Sequence, residues 1–271
     1  MLGKLFKHEF TAMSRYFLPL FIFAVILTPV FSLLFRLGLN DDKGALPITA
    51  IMSAFGITGF VFSMIILFTA SSIFIVIRFY RTMATSEAYL TFTLPAKPSH
   101  ILLSKLLVAS IWQIITFVTG IAAILAMLII AGIFTPGQMM HGFQEFVKYF
   151  FVDSDASVPL SFSLYALAGI IGVPVSILIF YCSIMLGQLF NEHRVIASFG
   201  IYMGITTVIQ IASLVLTIPI TMIEPDSSAS EIETFMGMNI TIGLATLLNV
   251  IIGIACYLLT TFIIKKKLNV R

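Results

Sequence analysis

The long apolar stretches of this 271-residue sequence contain few side chains that can take part in chemistry. No Asp, Glu, Lys or Arg lies near the middle of any stretch, and the central polar residues are neutral: Ser71, Ser72, Gln113, Gln188, Gln210 and Asn249. Such groups either form hydrogen bonds between helices or line a mildly polar path for an amphipathic compound. Proton- or sodium-driven carriers usually keep an ionisable residue or a broken helix at this depth, so ion-coupled transport is disfavoured.

Motifs of hydrolytic enzymes and of nucleotide-binding proteins are absent from the sequence. It has no HExxH, no paired carboxylates in an apolar stretch and no nucleophile with a spaced base. Cys182 and Cys256 are far apart and form no CxxC pair, so we expect them to act as small hydrophobic residues. We therefore expect no enzyme activity and no bound metal or cofactor. Because GxxxxGK[ST] is also missing, any nucleotide that drives this protein would bind to another subunit.

Composition and apolar run lengths predict an integral membrane protein. The chain is 59% hydrophobic and only 10% charged. Six runs are long enough to cross a bilayer as helices, at about 17–37, 49–77, 106–134, 164–189, 196–222 and 240–264. The first is too long for a signal-peptide core and no cleavage pattern follows it. The prediction is an all-α polytopic membrane protein whose 271 residues form one transmembrane domain.

The distribution of basic residues predicts the orientation of the chain. Twelve of the fifteen Lys and Arg residues lie in segments 1–16, 78–105, 190–195 and 265–271, together with only three carboxylates. Because Lys and Arg are enriched in cytoplasmic loops, both termini and the 78–105 loop are expected to be cytoplasmic. The alternate segments hold nine carboxylates. The acidic cluster in 223–239 has no metal-ligand spacing; it is either a solvated face or an attractive surface for a cationic substrate.

Two extramembrane segments have the periodicity of amphipathic helices. In 1–16 the apolar residues gather on one side and the cations on the other, which predicts a helix lying on the membrane against anionic lipid headgroups. Glu9 projects into the apolar side, where it either stays in water after a small roll of the helix or pairs with a cation from 78–105. The outer segment 135–163 shows the same pattern, and we expect a helix on the outer surface or over the bundle.

Small residues predict a close-packing face in the fifth span. Gly200 and Gly204 form a GxxxG motif, which allows helices to approach closely. The partner helix would belong either to the same subunit or to a second copy.

The 78–105 loop is the longest basic break between the apolar runs. It holds four cations, one carboxylate and two prolines. Within it, 88–94 is too apolar for a solvated loop and too short to span a bilayer, so we expect a short amphipathic element at the membrane surface that receives a partner.

These segments resemble a known family. Residues 2–10, Leu-Gly-Lys-Leu-Phe-Lys-His-Glu-Phe, resemble the opening of bacterial ABC-2 type permeases. Residues 86–95, Ser-Glu-Ala-Tyr-Leu-Thr-Phe-Thr-Leu-Pro, followed by Ile-Leu-Leu-Ser-Lys at 101–105, resemble the cytoplasmic loop of a subgroup of these permeases. Ala88 stands where Gly is more usual in that pattern.

The resemblance implies the membrane subunit of an ABC exporter in a bacterial plasma membrane. Two permease subunits, alike or related, would bind two copies of a separate ATPase that carries ATP and Mg, and membrane lipid would be the other partner, with no nucleic acid involved. The 78–105 loop would provide the coupling helix, with ATPase contacts at Glu87, Tyr89, Leu90, Phe92 and Leu94. Segment 1–16 would be the elbow helix, with Phe6, Glu9 and Phe10 as its key residues.

The substrate expected from the apolar, neutral-polar spans is amphipathic or hydrophobic, such as a peptide antibiotic, a drug or a lipid-like molecule. Ser71, Gln113, Gln210 and Asn249 are the candidate pathway or packing groups. Two alternatives remain: a nonenzymatic sensor or scaffold subunit of an ABC-like complex, and a secondary carrier or intramembrane enzyme of unrecognised type.

Overall fold

The computed structural model describes residues 2–39, 47–85, 98–153, 157–190, 193–222 and 231–266. Within these ranges the chain forms seven α-helices and one π-helical turn, and it contains no strand. The helices are α1 (Leu2–Leu39), α2 (Pro47–Ala84), α3 (Pro98–Ile130), α4 (Pro136–Lys148), α5 (Ser157–Gly187), α6 (Arg194–Met222) and α7 (Glu231–Lys266), with the π-helical turn Tyr149–Asp153 after α4.

Six of the seven helices are long and apolar enough to cross a membrane, and they match the six predicted spans. They are α1, α2, α3, α5, α6 and α7. The all-α, multi-pass prediction is therefore confirmed at this level. The helices extend beyond the predicted limits: at 38 residues, α1 and α2 are each about 57 Å long, roughly twice the hydrocarbon thickness of a bilayer. Hydropathy locates only the part of a helix that suits lipid, because the polar turns that continue it carry no apolar signal.

The N-terminal amphipathic segment is continuous with the first span. Sequence periodicity predicted a separate element ending near residue 16, but α1 runs from Leu2 to Leu39 without a break. Its cations at 4, 7 and 15 are exposed, whereas Met13 and Phe17 are buried. An amphipathic pattern gives a helix its two faces but does not mark its end, and α1 continues through Pro19 and Pro29.

The predicted helix in the 135–163 segment is present as α4. None of its side chains is buried within the chain. His141 and Glu145, four residues apart on its polar side, lie 3.4 Å from each other at Nδ1 and Oε1. The helix begins after Thr135, whose backbone N–H and hydroxyl both lie within hydrogen-bonding distance of the Gln138 side chain.

The structure divides into two compact units, and α1, α2, α3 and, through its last residue, α4 contribute residues to both. The first unit comprises Met1–Phe6, Val76–Ser110 and Lys148–Arg271, and the second comprises Lys7–Ile75 and Ile111–Val147.

Glycines bring α1 and α2 into close contact in the second unit. A Cβ atom at Gly56 would collide with the backbone nitrogen of Phe35, and one at Gly59 would collide with the ring of Phe31. The contact residue moves from 56 to 59 along α2 while its partner moves from 35 to 31 along α1, so the two helices are antiparallel. Close backbone approach through small residues is the usual way in which membrane helices gain packing energy.

Two apolar clusters complete the core of the second unit. One contains Leu20, Ala24 and Leu67, and the other contains Phe60, Ala123 and Met127. At the end of α3, Gly132 has a φ of 78°, which suits the glycine at a helix C-terminus. The Arg36 guanidinium donates a hydrogen bond to the nearby Ile130 carbonyl oxygen at 3.4 Å. A cation at this position complements the negative end of the helix dipole.

In the first unit α5 packs against both α6 and α7. Phe180 and Tyr202 stack with ring centroids 4.7 Å apart, and a Cβ at Gly187 would lie 2.8 Å from the Ser198 Cα. On α7, a Cβ at Gly253 would lie 2.8 Å from Val175 Cγ2. Helix α5 is thus the central helix of this unit.

Candidate functional site

The proposed partner-binding loop lies between α2 and α3. The five predicted contact residues, Glu87, Tyr89, Leu90, Phe92 and Leu94, are outside the described residues. The structure does describe both flanks of this loop, the end of α2 and the start of α3, and both belong to the first unit.

The flank on α2 is firmly packed. Phe79 and Met83 are 1% and 0% exposed. The Phe79 ring stacks on Tyr181 of α5 with centroids 3.7 Å apart and planes 9° from parallel, and Tyr181 is fully buried. Stacked aromatic pairs contribute about 0.5–1.5 kcal/mol beyond their buried area. The last turns of α2 are therefore joined to the central helix of the first unit.

The flank on α3 is buried as well. Ile101, Leu102, Ser104 and Lys105 are each 4% exposed or less. The Ser104 hydroxyl donates a hydrogen bond to the Ile101 carbonyl oxygen at 2.8 Å. A buried ammonium group such as that of Lys105 is costly unless charge or hydrogen-bond acceptors compensate it. The sequence had singled out this segment as an Ile-Leu-Leu-Ser-Lys run. The start of α3 that follows the loop is therefore buried.

The N-terminal residues singled out from the sequence are half-buried. Phe6 lies in the first unit, whereas Glu9 and Phe10 lie in the second. Phe10 stacks on Trp112 of α3 at 4.9 Å, and Phe17 stacks on the same indole at 5.0 Å. The Trp112 indole is 5% exposed, and its Nε1 has no hydrogen-bond partner within the described ranges. An aromatic cluster therefore joins the start of α1 to α3 within the second unit.

Two of the four candidate pathway groups meet in the second unit. Ser71 is fully buried, and its oxygen lies 3.4 Å from Oε1 of the half-buried Gln113. The Ser71 hydroxyl also donates to the Phe68 carbonyl oxygen at 2.8 Å. Because the shorter contact is within its own helix, the link between α2 and α3 is a weak one.

Asn249 lines a small cavity between α6 and α7 in the first unit, whereas Gln210 does not. The cavity volume is about 60 Å³, and the other polar lining residues are Ser213, Thr217 and Thr241. Asn249 Nδ2 donates to the Ala245 carbonyl oxygen at 3.0 Å, and Gln210 is exposed. The sequence did not single out these three hydroxyl residues, because single Ser and Thr residues are common in apolar helices. Positions 213, 217 and 241 are recognised as neighbours only when α6 and α7 are seen to pair.

The Gly200 and Gly204 pair is not used for packing in the part of the chain described here. A Cβ at either position would meet nothing within 4 Å. No residue of the most apolar 18-residue stretch of α6 is buried. The described residues also contain no cluster of three or more His, Cys, Asp or Glu side chains able to hold a metal ion.

No family model, no curated protein and no solved structure matches this chain. The fold therefore defines a six-span, multi-pass membrane protein in which the helix ends on both sides of the α2–α3 loop are buried.

Proposed function

We propose that this chain is the membrane-spanning permease subunit of an ATP-driven ABC exporter, in which a separate ATPase docks on the loop between α2 and α3. The observation that supports the proposal best is the burial of both flanks of that loop in the first unit. Packed flanks suit a loop that transmits a push from a partner, because closely packed side chains move together.

The route of the push follows from the contacts. A displacement of the loop would act on Phe79, and through the stacked ring on Tyr181 of α5. Helix α5 in turn contacts α6 at Gly187 and α7 at Gly253. The first unit would respond as a packed body, since closely packed side chains move together.

The remaining parts of the proposal rest on the sequence. The basic segments favour cytoplasmic termini and a cytoplasmic loop. The resemblance favours two ATPase copies, a second permease subunit and a bacterial plasma membrane. The neutral polar groups of the spans favour an amphipathic or hydrophobic substrate over a small ion.

The first experiment is capture of the ATPase in mild detergent. The chain is co-expressed with an ATPase encoded near its own gene, and wild type is compared with a Tyr89→Ala, Leu90→Ala, Phe92→Ala variant. We expect wild type to retain the ATPase and the variant to lose it. A matched control, Met140→Ala, Phe143→Ala, Phe151→Ala, truncates three exposed side chains near α4 and should retain it.

The outcomes separate the alternatives. Capture by all three proteins moves the interface away from the loop. Capture by none of them, with the protein folded, overturns the permease proposal and favours a carrier. Capture accompanied by ATP hydrolysis but by no movement of any amphipathic test compound in vesicles favours a sensor or scaffold subunit.

A further inference from the structure

The two cysteines of the chain meet in the core of the first unit. Cys182 on α5 is 1% exposed and Cys256 on α7 is 5% exposed. Their thiols lie within hydrogen-bonding reach of each other, and the Thr260 hydroxyl lies beside the Cys182 thiol. Thr260 is fully buried, and its hydroxyl donates to the Cys256 carbonyl oxygen at 2.7 Å. The sequence predicted two unrelated small hydrophobic residues; the fold makes them neighbours.

A close approach of α5 and α7 lies near the two thiols. Gly253 contacts Val175 so closely that an added Cβ would lie 2.8 Å from Val175 Cγ2. Cys182 lies seven residues beyond Val175 and is level with Thr260, seven residues beyond Gly253, whereas Cys256 lies one turn before Thr260 on the same helix. The close approach at Gly253 thus draws the two backbones together within two turns of the thiols. Short distances between backbones are what a disulfide requires.

We propose that Cys182 and Cys256 form an oxidant-sensitive dithiol site, which an apolar hydroperoxide converts into a disulfide bond between α5 and α7. In the first step one thiol sulfur takes the distal peroxide oxygen, giving a sulfenic acid and an alcohol as the O–O bond breaks. In the second step the other thiol attacks this sulfur, the S–S bond forms, the S–O bond breaks and water leaves. The two sulfurs are oxidised and the peroxide is reduced.

Burial selects the class of oxidant. Water-soluble oxidants and reductants reach a 1%-exposed sulfur in an apolar helix pair poorly, whereas an apolar peroxide partitions into the same surroundings. The bond would fix the register of α5 against α7. The inference stands apart from the proposed function, since it depends only on the contacts of these two helices.

The test is oxidation of the full-length protein in lipid vesicles with cumene hydroperoxide. The product is digested under non-reducing conditions and mapped by mass spectrometry, and free thiols are counted after denaturation. We expect wild type to lose both thiols, to give one cross-linked peptide lacking two hydrogen atoms, and to regain the thiols with dithiothreitol after denaturation.

A matched variant tests the register. Ala255 neighbours Cys256 in sequence but is exposed, so an Ala255→Cys, Cys256→Ser protein keeps two cysteines and loses their contact. It should cross-link at least about tenfold more slowly than wild type, because only oriented neighbouring groups react with a high effective concentration. A Cys256→Ser, Thr260→Cys protein, which restores a thiol beside Cys182, should cross-link again and shows that the substitution at 256 is tolerated.

Three results would overturn the proposal. One is sulfinic or sulfonic acid on either sulfur of wild type without the cross-linked peptide. Another is a wild-type protein that keeps both thiols under conditions in which the denatured chain is oxidised. The last is cross-linking of the Ala255→Cys, Cys256→Ser protein at the wild-type rate.

Discussion

The stack of Phe79 on Tyr181 gives the sharpest test of the packing at the base of the loop. Phe79→Ala removes a ring that is 1% exposed and lies 3.7 Å from its partner ring. In water-soluble proteins such truncations cost about 3–5 kcal/mol, as a transfer term plus a cavity term. The transfer term shrinks in a membrane because lipid tails are as apolar as the protein interior, so we expect about 2–3 kcal/mol. This corresponds to about a 30- to 140-fold change in the unfolding equilibrium.

The assay is reversible unfolding by SDS in mixed micelles, followed by circular dichroism. Phe55→Ala is the matched control, since Phe55 lies on the same helix and is 69% exposed; its cost should stay below about 0.5 kcal/mol. Phe79→Leu keeps apolar volume and loses the stack, so it should fall between the two, at about 0.5–1.5 kcal/mol. If Phe79→Ala costs no more than Phe55→Ala, this ring does not join α2 to α5 and the route of force proposed here is wrong.

Two further predictions concern the spans. Gly56→Ala should destabilise the protein by about 1–3 kcal/mol in the same titration, because its Cβ would meet the backbone of Phe35 rather than a side chain that can move. Gly204→Ala should be neutral or stabilising by up to about 1 kcal/mol, because nothing lies within 4 Å and alanine favours helix. Equal effects of the two substitutions would contradict the packing of α1 on α2. Ser71→Ala should cost less than about 1 kcal/mol, the usual scale of polar contacts between membrane helices, and a larger loss would show that its contact with Gln113 is more than packing.

Most of the architecture could be read from the sequence, because hydropathy and charge act locally. The six apolar helices follow from run length, and helix α4 follows from the periodicity of Phe143, Phe146 and their neighbours. Helix ends were less predictable. The amphipathic pattern of 1–16 did not indicate that this segment continues into the first span as one helix, which passes through Pro19 and Pro29 to Leu39; its position on the membrane surface stays a prediction.

The candidate site was only partly accessible to such reasoning. The loop residues 87–94 and the run 101–105 were singled out by their pattern, but nothing in the sequence indicates that Lys105 is buried or that Phe79 stacks on a residue 102 positions further on. The polar groups divided in the same way: Ser71 meets Gln113 and Asn249 lines a cavity, while Gln210 is exposed. Neutral polar residues in apolar helices look alike in the sequence, so their different surroundings depend on how the helices pack.

The sequence by itself determined that this is a six-span, all-α membrane protein with a basic loop after the second span, since each of these properties depends on residues close together along the chain. The tertiary structure alone decided which helices pair and in which register: Gly56 against Phe35, Gly253 against Val175, and Cys182 against Cys256. The physical reason is that lipid interacts about equally well with any apolar side chain, whereas two helices pack closely only where their side-chain shapes fit. Shape complementarity at short range therefore decides which helices pair.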